Sequence, residues 1–258
     1  MKKRKLIIGV VVIVALALVI VVSNVLRRNA IVHDLQVQII YGAYTAVPKT
    51  NAEQAPDADL SRTVDTLLTA PTLRQQVLGL DPTILSHKVK EVDRDYVASL
   101  AMKNPYVERA DVSVNLWGDV VVKAVQRTPV VRIFTDKREY YLSHDTIEMP
   151  LSQEGEADVM VGTSERKNLR SLWELSCWLY DNPVYGDLFD QVSLAKNGDL
   201  TLVPKVGDHI VVVGSMENID KKMSDLLAFY RKGLPQVGWN TYRQISLKYN
   251  GQIICQKR

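Results

Sequence analysis

The most strongly patterned part of the chain is its N-terminus, where the stretch from Leu6 to Val22 contains no polar side chain. Val25 and Leu26 extend this apolar segment to residues 6–26. A helix of that length, at about 1.5 Å per residue, spans the roughly 30 Å hydrocarbon core of a bilayer. The pattern therefore predicts a single transmembrane helix over residues 6–26.

The charges around this segment predict its orientation. Four cationic side chains lie within residues 1–5, whereas two follow the segment before Asp34 appears. The positive-inside rule makes residues 1–5 a cytoplasmic tail and places residues 29–258 outside the cytoplasm. A cleaved signal peptide is the main alternative, but its apolar region is shorter, and Val21-Val22-Ser23 is a poor cleavage site.

Residues 31–126 predict a compact α+β unit in the order strand, helix, helix, strand, strand. Ile31–Tyr41 alternates between apolar and polar positions as a strand does, and residues 43–59 are polar and interrupted by proline, as in a loop. Helices are predicted over Leu80–Lys90, starting at Asp81-Pro82, and over Glu91–Lys103. Two strands then flank Trp117-Gly118-Asp119, where Gly118 suits the positive φ of a turn.

Residues 127–258 predict a second, strand-rich α+β unit that ends on a hairpin. Amphipathic patterns predict helices over 167–180 and 216–231. Strand patterns recur between them, and Asn250-Gly251 separates the last two predicted strands, Tyr242–Tyr249 and Gln252–Gln256. The other strands are predicted over 130–135, 139–143, 158–162, 188–195, 200–204 and 209–213.

Composition and charge argue against nucleic-acid binding. The chain has 258 residues and a formal charge of +3, yet its first 28 residues alone carry six cations and no acid. Residues 29–258 therefore carry a net charge of −3. The basic character belongs to the flanks of the apolar segment, and no basic patch for nucleic acid is indicated.

The sequence contains no recognisable catalytic or cofactor motif. The four histidines lie far apart, without the spacing of a zinc pair, and no glycine-rich phosphate loop is present. Ser143, His144 and Asp145 are adjacent on a predicted strand, so they point to alternating faces and do not form a nucleophilic relay. We expect no cofactor, no metal and no small-molecule substrate.

The two cysteines, Cys177 and Cys255, leave two alternatives open. In an oxidising compartment they could form a disulfide that closes a long loop. Their hydrophobic neighbours favour the other interpretation, in which both are small buried apolar residues.

Several short motifs, taken in order, resemble the bacterial cell-division family FtsQ/DivIB. They begin with Asn104-Pro105-Tyr106-Val107, continue through Gly118-Asp119-Val120-Val121-Val122 and reach Gln126-Arg127-Thr128-Pro129-Val130. The stretch from Ile245 to Gly251 is similar to the closing hairpin of the family. The resemblance implies a POTRA-like βααββ domain over 31–126 and an FtsQ-type β domain over 127–258.

The resemblance also implies a function, namely that of a non-enzymatic scaffold of the divisome in the cytoplasmic (inner) membrane at the division site. Its partners would be other single-pass division proteins of the FtsL and FtsB/DivIC type, and a partner would dock by adding a strand near the C-terminus. The predicted partner-binding residues are Leu247, Lys248, Tyr249, Asn250, Gly251, Ile253 and Trp239.

Other interpretations remain open. Leu247, Tyr249 and Ile253 could instead fill the core of their own domain, since hydrophobic strand residues are usually buried. POTRA domains also occur in secretion and envelope-assembly systems, which makes a membrane-anchored module of that kind the alternative function. A membrane-tethered hydrolase would need a nucleophile and a base from distant positions.

Overall fold

The computed structural model describes residues 13–23, 25, 29–41, 66–249 and 251–258. Residues 13–23 are helical, and their apolar side chains are exposed up to Val22. The predicted tail, residues 1–5, the rest of the predicted membrane segment and the predicted loop over 43–59 lie outside the described residues. Within the described parts of the chain, no helix has the length and apolar character needed to cross a bilayer.

The chain divides into two compact units. Of the described residues, the first unit holds those up to Tyr41 and Leu68–Gln126, and the second holds Thr66, Leu67 and Arg127–Arg258. The first unit has the order strand, helix, helix, strand, strand. Its elements are β1 (Leu35–Tyr41), α1 (Ala70–Leu80), α2 (Arg94–Met102), β2 (Val107–Val114) and β3 (Val120–Gln126), with short 3₁₀ turns at Pro82–Ser86 and Val89–Glu91.

The sheet of the first unit has the order β1-β3-β2. Strand β3 pairs in parallel with β1 and antiparallel with β2. Its residues Val120, Val122 and Ala124 are fully buried, whereas Lys123 is exposed, because alternate strand residues face opposite sides. Helices α1 and α2 complete this core with Leu73, Val77, Val97 and Leu100.

The second unit is built on one nine-stranded sheet, with the order β12-β11-β10-β9-β8-β7-β4-β5-β6. Its strands are β4 (Pro129–Phe134), β5 (Glu139–Ser143), β6 (Glu148–Met149), β7 (Met160–Ser164), β8 (Phe189–Leu194), β9 (Leu200–Pro204), β10 (Ile210–Gly214), β11 (Tyr242–Ser246) and β12 (Ile254–Lys257). Its helices are α3 (Arg170–Asp181), α4 (Pro183–Gly186), α5 (Ile219–Lys232) and α6 (Leu234–Val237). The mixed α+β class that the sequence predicts is confirmed.

Helix α3 shows why the second unit packs as it does. Leu172, Leu175 and Leu179 are fully buried and recur at the spacing of one helical face. Below them, Gly162 of β7 leaves room for the helix. A Cβ at that position would lie 2.8 Å from Cγ2 of Val131 and 3.3 Å from Cδ2 of Leu172. A side chain there would force the helix away from the sheet.

Three predicted elements differ from the structure. The helix predicted over Leu80–Lys90 is wrong: α1 ends at Leu80, and Asp81 accepts a hydrogen bond from the Thr83 amide at the start of a 3₁₀ turn. The first strand begins at Leu35, and Ile31 makes only an isolated bridge with Lys88. The last hairpin is also looser than predicted, because β11 ends at Ser246.

Candidate functional site

The candidate docking site is the C-terminal edge of the nine-stranded sheet. Strand β12 lies at one end of the strand order, and β11 is its single neighbour among the described strands. Its register pairs Ile245 with Cys255 and Ser246 with Ile254. An edge strand carries unpaired N–H and C=O groups that can template another strand.

The hydrogen bonds around β12 indicate which of its backbone groups face outward. The Arg258 amide donates to the Thr241 carbonyl over 3.3 Å, so residue 258 points toward β11. Because successive residues alternate in direction, the N–H and C=O groups of Cys255 and Lys257 point away from β11. On the other side of β11, the Leu247 amide donates to the Val212 carbonyl over 2.8 Å, which fits the same alternation.

The two faces of this edge differ in chemistry. Cys255 and Ile253 pack against the hydrophobic core of the second unit, beside the fully buried Ile245. On the opposite face, Ile254 of β12 is 47% exposed and Ile210 of β10 is 39% exposed. A strand added to β12 would therefore meet the core side chains on one face and the exposed Ile254 on the other.

The connection between β11 and β12 separates the predicted partner-binding residues into two groups. Leu247 is 2% exposed and belongs to the core, whereas Tyr249 is 56% exposed. Gly251 adopts a φ of +71°, the left-handed conformation that favours glycine. Asn250 lies outside the described residues. Of the predicted side chains, Tyr249 is the large apolar one that reaches solvent.

The remaining two predicted residues have structural contacts. Lys248 is exposed, and its Nζ lies 2.9 Å from Oδ2 of Asp199, which raises the pKa of the lysine. Trp239 is half-buried and packs edge-on against Tyr230, with 5.3 Å between ring centroids. Trp239 therefore supports the core below the C-terminal strands rather than lining the open edge.

A small, shallow groove lies between the start of α5 and the connection that carries Tyr249. It is lined by Asn218, Lys221, Lys222, Asp225, Leu247, Tyr249, Gly251, Gln252 and Ile253. Lys222 is buried, and its Nζ donates to the carbonyls of Val213 and Ser215 over 3.0 and 2.8 Å. Burial lowers the pKa of Lys222. The groove therefore lies between α5 and the segment that the sequence predicts to bind a partner.

A buried polar pair lies next to the C-terminus. His209 is 1% exposed, and its Nε2 lies 2.7 Å from the Tyr230 hydroxyl. Its Nδ1 is buried and has no hydrogen-bond partner within the described part of the chain. Arg258 donates from Nη2 to the carbonyl of the neighbouring Asp208 over 2.8 Å. The end of the last strand is therefore tied to the turn that carries the buried imidazole.

We expect the stability of the second unit to fall in mild acid because of His209. Burial and the positive charge of Arg258 lower the pKa of His209 below its ordinary value, and Asp208 only partly opposes this. The unfolded chain then binds the proton more readily, so the stabilisation is complete above about pH 6.5 and is lost below it. The slope from one such group is at most about 1.4 kcal/mol per pH unit.

Urea unfolding of the full chain at steps from pH 7.5 to pH 5 measures this effect. Wild type should lose more stability over that range than His209→Gln, which stays neutral and can still hydrogen-bond to Tyr230. Equal pH slopes for the two proteins would contradict the assignment.

Ser143 and His144 make local contacts in the second unit, which also contains the two cysteines. The buried Ser143 hydroxyl accepts from the Ile147 amide over 2.8 Å within the β5–β6 turn, while the His144 ring lies 3.4 Å from Asp181. Cys177 and Cys255 are both free thiols. Burial raises the pKa of Cys177 to about 12, so this thiol is not activated.

The sequence predicted the last strand and the helix before it, but it did not assign all of their residues to the site. Ile254 and Lys257 were not among the predicted site residues, although they follow directly after them. Lys221 and Asp225, whose side chains pair over 3.0 Å, lie about 25 residues earlier in the chain. Only the fold brings them to the groove.

A comparison with protein families gives one match to this unit. A family model described as FtsQ/DivIB, C-terminal related, matches residues 128–256. The match covers half of the chain and runs from the start of β4 into β12, as far as Gln256. No curated protein gives a significant match to the chain.

Proposed function

Because this chain belongs to the FtsQ/DivIB, C-terminal related family, we propose that it is a non-enzymatic scaffold of the bacterial divisome. Membership of the family indicates a role in cell division. The proposed task is to hold other single-pass division proteins, of the FtsL and FtsB/DivIC type, at the septum.

The observation that carries this proposal is the open edge of β12. The outward N–H and C=O groups of Cys255 and Lys257 can pair with an extended partner segment, which gives affinity without a deep pocket. The exposed Tyr249 and Ile254 supply apolar contacts beside that edge. Aromatic side chains are enriched among the residues that dominate binding energy, which makes Tyr249 the proposed anchor.

We place the chain in the cytoplasmic membrane on sequence grounds. The apolar segment over residues 6–26 is long enough to span a bilayer as a helix. The described residues of this segment are helical, and an apolar helix exposed on every side is stable only in an apolar environment. The cationic tail then makes residues 29–258 extracytoplasmic.

The first unit is proposed to be a POTRA domain. Its βααββ order and its mixed three-stranded sheet, β1-β3-β2, support this assignment. With the second unit as the FtsQ-type β domain, the scaffold has one membrane-proximal domain and one domain whose edge binds partners.

Photocrosslinking in the native membrane tests the docking edge. A photoreactive amino acid at Tyr249 in the full chain should capture a small single-pass division protein. Phe134, which is aromatic and 50% exposed on β4, provides the matched control position and should capture none. Equal capture at both positions, or capture at Phe134 alone, would refute the proposed edge. Capture of envelope-assembly proteins from Tyr249 would favour the alternative function.

A further inference from the structure

Three segments of the first unit meet directly after the predicted membrane segment. The Val89 amide donates to the Ala30 carbonyl over 2.9 Å, and the His33 amide donates to the Gly118 carbonyl over 3.2 Å. The chain that leaves residues 6–26 is therefore held between a 3₁₀ turn and the tip of the β2–β3 hairpin.

The hairpin tip has a fixed conformation. The Asn115 side-chain oxygen accepts from the amides of Trp117 and Asp119, each over 2.9 Å. The Asp119 carboxylate is buried and accepts from Gln36 and Asn115, each over 2.8 Å. Gly118 adopts a φ of +91°, as the sequence predicts. These bonds fix the turn and tie it to the start of β1.

This fixed tip presents apolar side chains to solvent. Trp117 is 81% exposed and Leu116 is 70% exposed, the two highest values among the large apolar side chains of the described residues. Ile31, in the segment that runs beside this tip, is 62% exposed. A rigid turn that exposes a tryptophan and a leucine is typical of a surface that meets another apolar phase.

The charges nearby suit a lipid surface. Lys88 and Lys90 flank Val89 at the 3₁₀ turn, and both are exposed. Cγ2 of Val89 lies 3.6 Å from the position that a Cβ would take at Gly118, so this turn borders the hairpin tip. Glu91 lies 4.0 Å from Lys88 at the far side of that turn, and Asp119 is buried and fully hydrogen-bonded. Cations beside an apolar tip favour anionic headgroups.

Chain length limits how far the tip can lie from the membrane. His33, which is bonded to Gly118, lies seven positions after Leu26. At no more than about 3.6 Å per residue, this stretch spans at most about 25 Å. Since tryptophan is enriched where hydrocarbon meets headgroups, the tip has both the position and the chemistry of an interfacial anchor.

We propose that Trp117 and Leu116, with Ile31 beside them, insert into the headgroup region of the membrane that holds residues 6–26. This inference rests on the proposed membrane anchor. The inserted tip gives the first unit a second attachment point, so the unit has a defined orientation on the bilayer.

Lipid quenching of tryptophan fluorescence tests the proposal. The full chain is reconstituted into vesicles of phosphatidylethanolamine and phosphatidylglycerol, with or without phosphatidylcholine brominated on its acyl chains. We expect brominated lipid to quench the wild-type emission and Trp117→Phe to lose that quenching. The matched control Trp178→Phe, which removes a half-buried tryptophan of the second unit, should keep it.

Flotation of the same vesicles separates the two possible failures. A chain that floats and resists alkaline extraction, but whose quenching is unchanged by Trp117→Phe, would overturn the interfacial tip and leave the anchor intact; the exposed tip would then be a surface for a protein. A chain that stays with the soluble fraction would overturn the anchor and, with it, the inserted tip.

Discussion

Replacing Cys255 with proline should weaken the binding of an FtsB/DivIC-type partner about tenfold or more while the second unit stays folded. Proline has no N–H and places its ring where that hydrogen would be. The Cys255 N–H faces away from β11, so the substitution removes no bond within the sheet. Proline is tolerated at such outward positions of edge strands.

The size of this effect follows from the bonds that strand addition would make. Losing one backbone hydrogen bond and crowding the approaching chain should cost about 1–3 kcal/mol, and each 1.4 kcal/mol is tenfold in affinity. Titration of the full-length protein with its partner measures the change. Cys255→Ala keeps the N–H and is the matched control, expected to bind within about threefold of wild type because it changes only a half-buried side chain. Equal loss in both variants would show that the side chain, and not the edge, carries binding.

Much of the fold could be predicted because many of its helices and strands have a local pattern of apolar and polar residues. The helices α2, α3 and α5 have strong apolar faces, and their predicted ranges overlap the observed ones. Helix α1 was missed because it buries only Leu73 and Val77, which is too sparse a face to give a helical period.

The arrangement of the nine-stranded sheet could not be predicted in the same way. Strand β7 pairs in parallel with both β4 and β8, and each pairing joins residues far apart in the chain. Periodicity identifies strands but carries no information about such neighbours. The edge position of β12, which defines the candidate site, was predicted only from the family resemblance, because it depends on the non-local parallel pairing of β11 with β10.

The site residues show that local sequence patterns also fail to predict whether a single side chain is buried or exposed. A strand that continued to Tyr249 would place Leu247 and Tyr249 on one face, so both would be core or both would be surface. The structure ends β11 at Ser246, which frees the chain to bury Leu247 and expose Tyr249. The core interpretation therefore holds for Leu247, whereas the exposed Tyr249 remains a predicted docking residue.

Leu247→Ala should lower the free energy of unfolding by about 2–5 kcal/mol, whereas Tyr249→Ala should change it by less than about 0.5 kcal/mol. Leu247 is 2% exposed within the core of the second unit, so its truncation removes buried contacts and leaves a cavity. Tyr249 is 56% exposed, and its truncation removes little that the folded chain uses. Urea unfolding of the full-length variants measures both values.

When partner binding is measured on folded protein, Tyr249→Ala should have the larger effect and Leu247→Ala the smaller one. Tyr249→Ala is expected to cost about 2 kcal/mol or more in affinity, roughly thirtyfold, if the tyrosine anchors the added strand. Leu247→Ala, at a temperature where it is still folded, should bind within a few-fold of wild type because its side chain does not reach the surface. A stable Leu247→Ala variant that fails to bind would mean that the connection between β11 and β12 must be rigid for docking. Unchanged binding by Tyr249→Ala would leave the outward backbone of β12 as the main determinant of affinity.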